Sequence, residues 1–276
     1  MRGEETRDEY RQMDMLPLRF DVGSATHVGK VRERNEDAFL VRTDTGLWAV
    51  ADGMGGHAAG DLASRILVEW LDAIDRPESA ADLLRQCETQ ILRANQEIIG
   101  LSRAHSGATI GTTAAVLLVR ERHYACLWAG DSRVYAISRG AIRQLSRDHS
   151  EVEELIAGGA LSRKDAAHWP SNAITRAVGV AENLELEIVT GSAEPGDIFV
   201  ICSDGLTRHV SDPEILEHAA GRHARAACEG MLELALQRGG VDNVTVVVVR
   251  LLAEVARVSE PTRSPANSPE RSGHES

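Results

Sequence analysis

Lysine is almost missing from this chain. Of its 30 Lys and Arg residues only Lys30 and Lys164 are lysines, and 42 Asp and Glu residues bring the formal net charge to −12. That balance excludes a nucleic-acid backbone as the main partner, because such contacts need a basic patch to release counterions. It also argues against phosphate chemistry unless a bound metal locally reverses the field. Cysteine is sparse: Cys87, Cys126, Cys202 and Cys228 form no Cys-x-x-Cys pair, and Cys126 and Cys202 lie inside apolar runs. They read as buried reduced thiols. Residues Met1 to Asp14 hold Arg, Glu and Asp but no apolar segment of a secretory signal,. No apolar run approaches the ~20 residues of a membrane span, so a cytoplasmic protein without membrane partners is expected. His-Glu-x-x-His and Gly-x-x-x-x-Gly-Lys-Ser/Thr are both absent, which removes the zinc-hydrolase and nucleotide-loop readings,.

What is present is an apolar fraction of 43% over 276 residues, enough for one large domain,. Residues 1–17 read as a flexible leader and 256–276, rich in Ser, Pro and Glu, as a disordered tail. No Pro/Gly/Ser linker interrupts 18–255. Strand patterns fall at Leu18–Ala25, Ala38–Arg42, Leu47–Ala51, Ile110–Val119, His123–Ala129, Arg133–Ser138, Ala141–Leu145, Leu184–Thr190, Asp197–Cys202 and Val244–Leu251,. Helical spacing marks His57–Ile74, Ser79–Ser102, Pro213–Ala219 and Arg222–Gln237,. Residues 146–180 are polar and broken, with short helical pieces at Glu151–Ile156 and Arg163–Ala167. Most strand connections are short, which favours antiparallel pairing. The expectation is an α+β fold of two packed, mainly antiparallel sheets flanked by helices.

Four carboxylates stand at the ends of apolar runs, beside Gly or Asn. Asp52-Gly53 ends Leu47–Ala51, Gly130-Asp131 ends Tyr124–Ala129, Asp204-Gly205 follows Ile198–Ser203, and Asp242-Asn243 precedes Val244–Val249. Singly, each is an ordinary turn dipeptide. Together they place several carboxylates at one sheet rim, where mutual repulsion and desolvation are relieved by a hard divalent cation with oxygen ligands. The loop Gly53-Met54-Gly55-Gly56-His57 lets backbone carbonyls approach such an ion,. Arg32, five residues before Asp37 and with Glu36 nearby, supplies a guanidinium suited to a phosphate,. Read by itself, that segment is equally a surface ion-pair cluster of Arg32, Arg34 and Glu36.

The ordered series Arg32-x-x-Asn35-Glu36-Asp37, Asp52-Gly53-Met54-Gly55-Gly56-His57, Gly111-Thr112-Thr113, Gly130-Asp131-Ser132-Arg133, Ser203-Asp204-Gly205-Leu206 and Asp242-Asn243-Val244-Thr245 resembles the bacterial type 2C metal-dependent Ser/Thr protein phosphatases, the PPM family. The likeness spans about residues 20–252. It implies a four-layer αββα sandwich with two Mn²⁺ or Mg²⁺ ions between the sheets. By that likeness Asp52 bridges the ions, the Gly53 carbonyl meets the second, and Asp204 and Asp242 complete the first. Asp37 acts at the pair directly or through water, Asp131 with Asp204 holds a third, weaker ion, and Arg32 binds phosphate. Asp52, Asp204 and Asp242 form the catalytic set, and Ser132 and Arg133 shape the strand end. Two ions about 3.5–4 Å apart acidify a shared water for in-line attack on phosphorus. Many eukaryotic members carry His directly after Asp-Gly as a proposed general acid; here Met54 stands there, and His57 is read as a helix-start residue. Residues 146–180 correspond to the family's flap. The likeness implies phosphoprotein substrates, a partner Ser/Thr kinase, a role in signal transduction and a monomer. Its rivals are a non-catalytic phosphoprotein-binding module on the same fold and a two-metal small-molecule phosphatase or nuclease.

Overall fold

Apolar residues run unbroken through the central strands because both faces of each sheet are covered. The computed structural model describes residues 18–55, 59–104, 109–166, 169 and 173–253. Its strands are β1 (Leu18–His27), β2 (Asp37–Arg42), β3 (Leu47–Met54), β4 (Gly111–Thr112), β5 (Ala114–Arg120), β6 (His123–Ala129), β7 (Arg133–Ser138), β8 (Ala141–Gln144), β9 (Glu187–Ser192), β10 (Ile198–Cys202) and β11 (Val244–Ala253). Its helices are α1 (Ala59–Asp72), α2 (Ala80–Ala104), α3 (Glu151–Ala157), α4 (Arg163–Ala166), α5 (Asp204–Thr207), α6 (Asp212–Ala220) and α7 (Ala224–Gln237). One sheet has the order β1-β11-β10-β7-β8; the other has β2-β3-β5-β6-β9, with β4 added to the end of β3. Every strand pair is antiparallel.

Successive residues of a strand point to opposite faces, and here each face has its own core. In β3, Leu47, Ala49 and Ala51 pack under α1 and α2, while Trp48 and Val50 enter the space between the sheets. In β10 and β11, Val200, Cys202, Val246 and Val248 pack under α6 and α7, while Phe199, Ile201, Val247 and Val249 meet the other sheet. Helices, sheet, sheet and helices thus form the four layers of the expected sandwich. The inter-sheet layer holds the edge-on pair Phe20–Trp48 and the tilted pair Tyr124–Phe199, with ring centroids 5.0 and 5.2 Å apart,.

Three local details differ from the sequence reading. The strand expected over Ile110–Val119 is split at Thr113. There the Thr113 hydroxyl, instead of a backbone carbonyl, accepts the Asp52 N–H at 2.9 Å, so the ladder shifts partners between β4 and β5. The strand expected from Leu184 starts at Glu187, because Leu184 turns into the outer core. Asp204 does not end a strand but opens the short helix α5, with Ser203 as its N-cap residue. The leader, the tail and His57 lie outside the described residues.

Phe199 is 1% exposed, whereas Leu252 is 46% exposed on the last strand. Phe199→Ala should therefore lower the unfolding free energy by about 3–5 kcal/mol, and Leu252→Ala by less than about 0.5 kcal/mol, measured by urea denaturation. Equal losses would contradict the inter-sheet packing.

Candidate metal centre

The side-chain alternation that fills the middle layer with apolar groups continues past its end with polar ones. After Trp48 and Val50 the next residue on that face is Asp52; after Phe199 and Ile201 it is Ser203. Before Val249 and Val247 it is Thr245, and before Phe39 it is Asp37. Asp37 and Asp52 are directly paired across β2 and β3. Asp131 follows β6 through Gly130, Asp204 opens α5 after β10, and Asp242 leads into β11. Three of the predicted acids therefore come from one sheet and two from the other, all at the same end of the sandwich.

Asp37 is held by the opposite sheet. Its Oδ2 accepts the Ser203 hydroxyl at 2.8 Å and the Thr245 hydroxyl at 2.6 Å, while its Oδ1 is buried with no hydrogen-bond partner. Burial, then repulsion from Asp204 and Asp242, lifts its carboxyl to about 6 against those two hydroxyl bonds. Asp131 is 3% exposed, and its Oδ1 is likewise buried and unpartnered. Burial, followed by Asp204, lifts its carboxyl to about 7. Asp52 is raised well above the usual carboxylate range, first by burial and then by Asp37, Asp204, Asp131 and Asp242.

The backbone around Asp52 is fixed on two sides. Its carbonyl accepts the Thr113 N–H at 2.8 Å and the Thr112 hydroxyl at 3.1 Å. The Thr113 hydroxyl also meets the Ser132 hydroxyl at 2.7 Å, so the Gly-Thr-Thr segment links the Asp52 strand to the Asp131 turn. Gly53 donates to the Glu36 carbonyl at 3.1 Å, and a Cβ there would stand 2.1 Å from the Gly60 carbonyl oxygen. Only glycine lets the first turn of α1 press so close to β3.

Two arginines border the acids. Arg32 spans Asp242 bidentately, with Nε 2.8 Å from Oδ1 and Nη2 2.9 Å from Oδ2. Arg208, at the end of α5, donates its Nε to Asp204 Oδ2 at 2.9 Å, with Nη2 on the same oxygen. Burial raises the Asp204 carboxyl, and Arg208 pulls against it. Asn243, 6% exposed, fastens the loop of Arg32 to β11: its Oδ1 accepts the Glu36 N–H, and its Nδ2 donates to the Val28 and Arg34 carbonyls, each at 2.8 Å.

Arg208, Ser203, Thr245 and Asn243 carry structural parts that the sequence reading did not assign. Thr245 had a signal, as a lone hydroxyl inside a valine run with the parity of Asp37. Arg133 forks onto Asp148 at 2.7–3.1 Å.

Among the described residues, no three His, Cys, Asp or Glu side chains close around one point. The donor chemistry nevertheless fits a hard divalent cation: the set is all oxygen, and two buried carboxylate oxygens lack partners,.

Two antiparallel sheets between helical layers give the fold of the solved Ser/Thr phosphatase structures on which this chain superposes. The chain belongs to the protein phosphatase 2C family, whose model matches residues 26–237. It is 34% identical over 221 residues to the Ser/Thr protein phosphatase PstP of Mycobacterium tuberculosis, covering 80% of this chain and 43% of that protein. It thus spans less than half the length of that relative. The structure of PppA from Pseudomonas aeruginosa superposes with a TM-score of 0.79 at 38% identity, over 84% of this chain and 98% of that one. The catalytic domain of PstP, solved in complex with two manganese ions, superposes with a TM-score of 0.75 at 30% identity, over 86% and 100%.

An acid whose pKa is raised on folding stabilises the fold fully below its unfolded pKa of about 4 and loses that contribution as pH climbs through the folded value. Asp37 and Asp131 set that window at about 4 to about 7. In chelator, Asp131→Asn should therefore melt at an increasingly higher temperature than the parent protein as pH rises from about 5 to about 8. A melting difference independent of pH would contradict the buried-charge account.

Proposed function

We propose that this chain is a metal-dependent protein phosphatase that hydrolyses phosphoserine and phosphothreonine. The observation that carries the reading is the convergence of five carboxylates, Asp37, Asp52, Asp131, Asp204 and Asp242, at the end of the inter-sheet core, with Arg32 beside them. Asp52, Asp204 and Asp242, with the Gly53 carbonyl, would hold the core pair of Mn²⁺ or Mg²⁺ ions. Asp37 would act beside that pair, and Asp131 with Asp204 would hold the third, weaker ion. When bound, such ions supply Lewis acidity, lowering the pKa of a water and offsetting phosphate charge.

The protein's own groups position the reaction. Arg32 carries five N–H donors and places Nε and Nη2 on Asp242, so its remaining donors serve phosphate oxygens,. Asn243 fixes the loop that carries Arg32, and Ser203 and Thr245 hold Asp37 from the opposite sheet. A module that only binds phosphoproteins has no need for this buried acid set. Phosphorylated proteins are the expected partners, with a Ser/Thr kinase as the opposing enzyme and the chain acting as a monomer in the cytoplasm. No described helix is long and apolar enough to cross a membrane.

Hydrolysis of a phosphothreonine peptide should proceed in Mn²⁺ and stop in chelator; turnover independent of metal would refute the reading. Asp204→Asn should lower kcat by at least about 100-fold with the circular dichroism spectrum retained. Arg32→Ala should mainly raise KM, because phosphate contacts are lost while the metal ligands remain. A change confined to kcat would remove Arg32 from phosphate binding.

A further inference from the structure

The chain departs at Glu151 and is back beside that point at Ala173. The Glu151 N–H donates to the Ala173 carbonyl at 3.0 Å, Ser150 and Ile174 form an isolated bridge, and the Thr175 N–H donates to the His149 carbonyl at 2.9 Å. Both ends of the flap therefore meet at His149.

His149 is 5% exposed, and each of its polar atoms is committed. Its backbone N–H donates to the Gly130 carbonyl at 2.9 Å, and the Gly130 N–H returns to the imidazole Nδ1 at 3.2 Å. Because Nδ1 accepts, the neutral ring carries its proton on Nε2, which lies 3.1 Å from Glu187 Oε1 at the start of β9,. The ring stacks on Trp128, with centroids 6.1 Å apart. Burial pulls the imidazole pKa down, in keeping with the neutral form.

Gly130 is the residue before Asp131. Its φ is +113°, and a Cβ on it would lie 2.6 Å from Thr113 Cγ2. No side chain can occupy this turn, so its direction is set by what grips it: His149 on one side, Thr113 and Ser132 on the other. The next residue carries a carboxylate oxygen that is buried and has no hydrogen-bond partner. On the same stretch Asp148 is locked by Arg133 and Gln144. The flap base is thus fastened to the framework at two consecutive residues.

We propose that His149 is a positioning residue: through the ring-to-backbone bond at Gly130 it aims the Asp131 carboxylate at the weaker cation and ties that site's affinity to the placement of the flap. This rests on the metal-dependent reading above. His149 touches neither the cation nor the substrate; it acts through Gly130, as hydrogen-bonding partners behind metal ligands do elsewhere, where their loss lowers affinity by about 10–100-fold.

Two substitutions separate the two ring nitrogens. An Asn amide oxygen can occupy the place of Nδ1 and keep the Gly130 bond; a Gln amide reaches the place of Nε2 and keeps only the Glu187 contact. With Mn²⁺ titrated by calorimetry into the full chain, H149Q should lose affinity at the weak site by about 10–100-fold while the two tight sites stay within about twofold. H149N should stay near the wild-type value at all sites. Unchanged weak-site affinity in H149Q, or equal losses in both variants, would overturn the proposal.

Hydrogen exchange on the unaltered protein tests it without any variant. Filling the weak site with Mn²⁺ should slow exchange at the Glu151 and Thr175 amides, and no change there would overturn the coupling. Tight binding of two ions with an indifferent H149Q defeats this proposal alone, whereas no Mn²⁺ binding at any site defeats the metal-dependent reading and this proposal together.

Discussion

Carboxylates do not share a poorly hydrated space without something to offset their charge, and this fold is organised around that difficulty. The layer between the sheets is apolar along most of its length and turns acidic at one end. There Asp37, Asp52, Asp131 and Asp204 all have carboxyl groups raised by burial and by neighbouring carboxylates. Serine and threonine hydroxyls, two guanidiniums and backbone amides each relieve part of the repulsion. None removes it, and two buried oxygens remain without partners. A bound cation would complete that unfinished compensation.

The charge balance of the whole chain takes on meaning beside that local picture. A surface with a formal net charge of −12 repels an anionic phosphoprotein at long range,. At short range the sign would be reversed by groups gathered at one end: Arg32 and Arg208 on the rim and the divalent cations that the acids would hold. Selectivity for the site over the rest of the surface would follow from that contrast. The near absence of lysine makes arginine the residue that carries it, and arginine is the better fork for a carboxylate or a phosphate.

Much of this was legible in the residues. Apolar runs ending in Asp-Gly or Gly-Asp marked the strands and the acids, and helical spacing marked the outer layers. The order of the motifs carried the family resemblance. What escaped the sequence was pairing across long separations. Thr113 breaks a strand because its hydroxyl takes a ladder position opposite Asp52, and no local pattern shows that. Ser203 and Thr245 grip Asp37 from the other sheet, a contact visible only once the parity of the facing strands is known. Arg208 lies one helical turn after Asp204, where it reads as a solvated charge until α5 is seen to open at that residue. His149 looked like part of a polar, broken stretch; its two ring nitrogens acquire partners only when β6 and β9 are laid side by side.

The two-point closure at residues 149–151 and 173–175 also makes the flap an exchangeable part. A loop pinned where it leaves and where it returns adds a closure entropy that grows only as the logarithm of its length. The stretch between those pairs can therefore change in length while the pairs at its ends are kept.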